Sequence, residues 1–160
     1  MTRTRTFSWE DPLAAFDTGK GMSGLEYMNA LIAGRIPPPP IAQLMDFRLV
    51  KVDEGYAMFE CAPSEQHYNP IGVVHGGLAM TLLDSAMGCS VHTRLPASTG
   101  YTTLEAKVNM VRAITAKTGV VRATGRVIHF GGRTATAEGR IEDAAGKLYA
   151  HGTTTCIILS

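Results

Sequence analysis

The chain is 160 residues long, 45% hydrophobic and 18% charged, enough apolar material for a core that hides roughly two-thirds of the unfolded surface. That composition excludes a disordered chain and points to one domain rather than two. Fifteen Lys and Arg against 14 Asp and Glu leave a net charge of +1, so there is no basic field for nucleic acid or an acidic membrane.

Met1 to Glu10 carries arginines with no apolar stretch behind them, so no signal peptide is expected. No run of about 18 apolar residues offers a membrane span. Cys61, Cys89 and Cys156 are odd in number, far apart and without C-x-x-C spacing. They read as reduced thiols rather than a disulfide frame or zinc site, and a soluble cytoplasmic protein is expected. Ser23 to Ala33 reads as a helix: Ser23 caps, Glu26 follows three residues on, and Leu25, Met28, Leu31 and Ile32 share a face. Pro37 to Pro40 fix φ and remove four N–H donors, so no helix runs through them. Residues 1–40 are therefore expected to form a helical arm with a rigid proline linker, docked on a main domain of residues 41–160.

Beyond the prolines the period changes to two. Leu44 to Glu60 predicts two strands joined at Asp53-Glu54-Gly55, and Pro63 to Gly72 is rich in turn formers. From His75 to about Arg94 the period is helical. Leu78, Leu82, Ala86 and Cys89 lie on one side with Ala79, Leu83 and Met87 beside them, which predicts a buried helix. Three strands follow, about Thr102–Arg112, Gly119–Phe130 and Arg133–Glu142, then a turn at Asp143–Gly146 and a last strand over Lys147–Leu159. Gly119, Gly125, Gly131 and Gly132 mark bulges or corners. The expected class is α+β, an antiparallel sheet wrapped around one long helix.

The chemistry gathers in Asn69-Pro70-Ile71-Gly72-Val73-Val74-His75-Gly76-Gly77 and the helix it opens. Glycines at a helix start leave free N–H groups at the positive dipole end, where a carbonyl oxygen can approach and its developing charge be stabilised. A tight turn alone would also use them. Asp84 lies in the helix expected to be buried, where an isolated carboxylate is costly. With Gly77, Thr81 and Gly88 it makes a shallow polar stripe, a channel for a slender ligand. Gly76 and Asp84 are eight residues apart, about 12 Å along a helix, so two antiparallel copies would be needed to bring one Asp84 opposite the other's Gly76. His75 would hold the loop through its imidazole; His67, His92, His129 and His151 show no metal-ligand spacing, and neither a G-x-S-x-G elbow nor a P-loop is present.

The segment Asn69…Gly72-x-x-His75-Gly76-Gly77…Asp84, followed by Val108-Asn109-x-x-Arg112 and Gly131-Gly132-Arg133, resembles the hotdog-fold acyl-CoA thioesterases, closest to the PaaI-like (phenylacetic acid degradation) group. The resemblance covers about Leu44 to Leu159. It implies a hotdog domain, a homodimer often doubled into a tetramer, and thioester hydrolysis at a site shared between subunits without metal or prosthetic group. It implies that the Gly76 N–H binds the thioester oxygen, that Asn69 helps polarise it, and that the partner's Asp84 acts as base or nucleophile. A hydroxyl on the next strand, Thr103 or one register away Thr102, would position water. Gly131, Gly132 and Arg133 would lie under the CoA end, Arg133 meeting a phosphate bidentately with Arg112 as a second candidate. Two other outcomes are weighed: a hotdog hydratase or dehydratase using His75 with Asp84, and a non-catalytic acyl-CoA-binding domain.

Overall fold

The computed structural model describes residues 1–159. Its elements are α1 (Pro12–Thr18), α2 (Gly24–Ile32), α3 (Pro40–Met45), β1 (Phe47–Asp53), β2 (Tyr56–Cys61), α4 (Gly76–His92), β3 (Gly100–Met110), β4 (Val121–Phe130), β5 (Thr134–Asp143) and β6 (Leu148–Leu159). The α2 start has the expected cause: Ser23 Oγ accepts from the Glu26 N–H while the Glu26 carboxylate accepts from the Ser23 N–H at 2.8 Å. Two elements differ from expectation. Asp11 caps α1, with Pro12 at its first position, a start signal too short to carry a period. The proline run does not only interrupt: Pro40 opens α3, because a residue at the first helical position needs no N–H, and β1 therefore begins at Phe47 rather than Leu44.

The six strands form one antiparallel sheet in the order β1-β2-β4-β5-β6-β3. The chain crosses from β3 at one edge to β4 in the middle, and β6 closes the gap between β5 and β3. Strands β2 to β6 all touch α4. The helix buries Leu78, Ala79, Leu82, Leu83, Ala86, Met87 and Val91 against them. Its close seat depends on two glycines, Gly125 and Gly139, paired across β4 and β5; Gly152, paired with Gly139 on β6, instead lets β3 approach, since a β-carbon there would come 2.6 Å from the Lys107 carbonyl. A β-carbon on Gly125 would overlap the Ala86 carbonyl, and one on Gly139 would come within 2.9 Å of Leu83 and Met87.

The arm is docked. Gly24 donates its N–H to Leu95 O at 2.9 Å, Met28 and Ala30 are buried, and Ile36 is fully buried just before the prolines. Arg5 holds the first residues down by donating to the Gln43 and Leu44 carbonyls. Among the described residues no helix is long and apolar enough to cross a membrane.

Candidate active site

The loop before α4 is fixed by its own hydrogen bonds. Asn69 N–H donates to Val73 O at 2.8 Å, Gly72 takes the turn at φ 83°, and Asn69 Oδ1 accepts from the Ile71 and Val73 N–H groups. The Asn69 oxygen is thus occupied and its Nδ2 donors are left over. His75 is the N-cap: its N–H donates to His67 O at 2.7 Å and its Nδ1 accepts the Gly77 N–H at 2.8 Å. An accepting Nδ1 carries no proton, so the neutral ring is the Nε2–H tautomer. Leu78 N–H returns to His75 O. Gly76 N–H has no partner among the described residues, and it sits at the positive end of a 17-residue helix. A crevice of about 320 Å³ opens there, bounded by Asn69, His75, Gly76, Met110, Arg112 and Tyr149. A β-carbon on Gly76 would come 2.7 Å from the Met110 thioether, the end of a half-exposed side chain that borders the same crevice.

Asp84 lies elsewhere than expected. It is exposed, as is Met80 one turn before it, because the sheet covers one side of α4 and the other is open beyond β3. Its Oδ1 accepts from Thr103 Oγ1 at 2.9 Å. Pairing of β3 with β6 sets Thr103 opposite Cys156 and leaves it half-buried toward the helix, whereas Thr102 is exposed. That register makes Thr103 the Asp84 partner. Thr81 spends its hydroxyl on Gly77 O at 2.9 Å, and Gly88 is buried beneath Tyr101, so the expected open channel ends one turn beyond Asp84.

The candidates fall into separate groups. Asn69, His75, Gly76 and Arg112 meet at the crevice; Arg112 donates to Leu148 O and its side chain is part of that wall. Gly77, Thr81, Asp84 and Thr103 follow along α4. Gly131, Gly132 and Arg133 form the β4–β5 hairpin, with Gly131 N–H on Thr134 O. Thr134 pairs with Ile157, seven residues along β6 from Ala150 in the crevice wall, or roughly 23 Å. A single copy of the chain does not bring them together. Tyr149 and Tyr101, which bound these groups, carry no local signal in the sequence; strand pairing puts them there. Burial pushes the Cys89 thiol up to about 12 and Cys61 to about 11, so neither is a thiolate near neutrality.

Residues 71–150 match the Thioesterase superfamily. A 1,4-dihydroxy-2-naphthoyl-CoA hydrolase from Listeria monocytogenes is 27% identical over 108 residues, covering 68% of this chain and 86% of that one. Conserved protein PA5202 from Pseudomonas aeruginosa superposes with a TM-score of 0.71 at 30% identity, over 76% of this chain and 95% of that one. A phenylacetic acid degradation-related protein from Ralstonia eutropha JMP134 superposes with a TM-score of 0.74 at 26% identity, over 82% and 98%.

Proposed function

This chain belongs to the thioesterase superfamily, and from that premise we propose that it hydrolyses an aryl or medium-chain acyl-CoA to the free acid and CoA. The observation that carries the reading is the Gly76 N–H, unpaired at the head of α4 while its neighbours His75, Gly77 and Leu78 are all hydrogen-bonded. An oxyanion can use it without first breaking a bond. The hydrolase from Listeria monocytogenes acts on an aryl thioester of CoA by its name, which supports the aryl class here.

In this reading two copies pair in a homodimer, itself doubled into a tetramer, so that one copy's Gly76 faces the second copy's Asp84. The thioester oxygen lies on the Gly76 N–H and the Asn69 Nδ2 donors. The Asp84 carboxylate, oriented by Thr103, takes a proton from a water whose oxygen bonds to the thioester carbon. The C–S bond of the tetrahedral intermediate then breaks, and the departing thiolate takes the proton from Asp84 to leave as the CoA thiol. The carboxylate is regenerated, and no metal or prosthetic group is invoked. Arg133 on its glycine hairpin meets a CoA phosphate of a substrate stretched across subunits, and Arg112 borders the thioester end. His75 holds the loop. Its Nδ1 is spent on Gly77, which supports a structural role for the ring over proton transfer.

Free-thiol release across aryl and aliphatic acyl-CoAs tests this. Asp84→Asn is expected to lose at least about 10²–10³ in turnover while sizing as wild type. Near-full turnover by that variant overturns the mechanism.

A further inference from the structure

Beyond Asp84, away from the head of α4, the face of the helix that carries Asp84 is covered by one side chain. Gly88 lies four residues from Asp84 on the same face, about 6 Å along the axis. The hydroxyl end of Tyr101 from β3 meets it: a β-carbon on Gly88 would come 3.0 Å from the Tyr101 hydroxyl and 3.1 Å from its ring. Tyr101 stands two residues before Thr103, whose hydroxyl holds Asp84, so wall and carboxylate are set by the same stretch of strand.

The ring is braced from behind. Its centroid is 5.4 Å from that of His92, and His92 is 5.4 Å from Tyr27 of the docked arm. Cys89 lies beside the Tyr101 hydroxyl. Cys89 in turn borders an apolar cavity of about 380 Å³ between α4, β1 and the arm, with Tyr27, Met28, Leu31, Leu49 and Phe59 in its wall.

We propose that Tyr101 is the specificity-determining wall of the acyl site, limiting the acyl group to about the length of one ring beyond the reacting carbon. This rests on the hydrolase reading of the Asp84 site. Compact aroyl and short acyl groups fit in front of the wall, whereas a long chain continuing along the helix meets the ring.

The test is the ratio of kcat/KM for dodecanoyl-CoA to that for benzoyl-CoA. Wild type is expected to favour benzoyl-CoA. Tyr101→Ala should raise the ratio by about tenfold or more, the worth of two or three newly buried methylenes. Tyr101→Phe keeps the ring and should keep the ratio. Tyr101→Leu serves as the second truncation if the alanine variant does not fold. Calorimetric binding of both acyl-CoAs to Asp84→Asn, with and without Tyr101→Ala, reads the wall independently of turnover. A wild type that binds but hydrolyses neither ester overturns the hydrolase reading, and the binding ratio then judges the wall. An unchanged ratio in folded truncation variants, or a wild type indifferent to chain length, overturns the wall.

Discussion

His92 is held between the rings of Tyr27 and Tyr101, and His67 lies between the start of β1 and the loop before α4, bonded to the Met45 carbonyl and the Ser64 N–H. Burial, which disfavours the charged ring, lowers both below the ordinary imidazole value of 6.5. The sign follows from proton uptake. Above 6.5 both are neutral whether folded or not, and their contribution to stability is complete. As the pH falls below 6.5 the unfolded chain binds the proton first, so stability declines until the lower folded values are passed. The melting temperature is therefore expected to fall between about pH 7 and about pH 5, and His92→Gln should flatten part of that slope. A wild-type melt level across this range would contradict the assignment. The same scale separates His75, whose ring is committed to a backbone amide, from Asp84, whose second oxygen stays open to solvent.

The seat of α4 on the sheet is a contact between backbones. Gly125 of β4 and Gly139 of β5 leave out β-carbons beneath the helix, so it comes close enough to bury Leu83, Ala86 and Met87 while its opposite face carries Asp84. Gly125→Ala drives a methyl group into the Ala86 carbonyl, which cannot move without its helix. A loss of about 1–3 kcal/mol in urea denaturation is expected. Gly132→Ala, with open space around it, should leave the urea midpoint nearly unchanged. Equal midpoints for the two variants would mean the helix tolerates a wider seat. Helix placement also sets the chemistry, since lifting α4 would draw Asp84 away from Thr103.

A single copy of the chain leaves an apolar strip beside its own chemistry. Met80 and Met110 are each 50% exposed and Leu104 57%, all near Asp84 or Gly76, and β3 is an eleven-residue edge strand with no further neighbour. Such an edge invites pairing, and a second copy would cover both the edge and the methionines. Leu104→Lys places a charge on that strip and is expected to shift the chain to monomer by light scattering and to abolish thioester hydrolysis together. A fully active monomer would show that one copy completes the site.

What the sequence alone determined is whatever rests on neighbours along the chain. The capping box at Ser23–Glu26, the change of period after the prolines, the long helix after His75 and the glycines at its head all follow from spacing, which dictates faces and ends before any tertiary contact forms. The tertiary structure alone decided what depends on distant partners. Thr103 rather than Thr102 reaches Asp84 because β3 pairs with β6 in one register, and a shift of one residue would have reversed them. Asp84 is exposed because the sheet reaches only one side of α4, although the residues around it are apolar. Tyr101 covers Gly88 because β3 passes over that turn of the helix. Periodicity tells which face of an element is apolar; it carries no information about which strand, arriving from elsewhere in the chain, will lie against it.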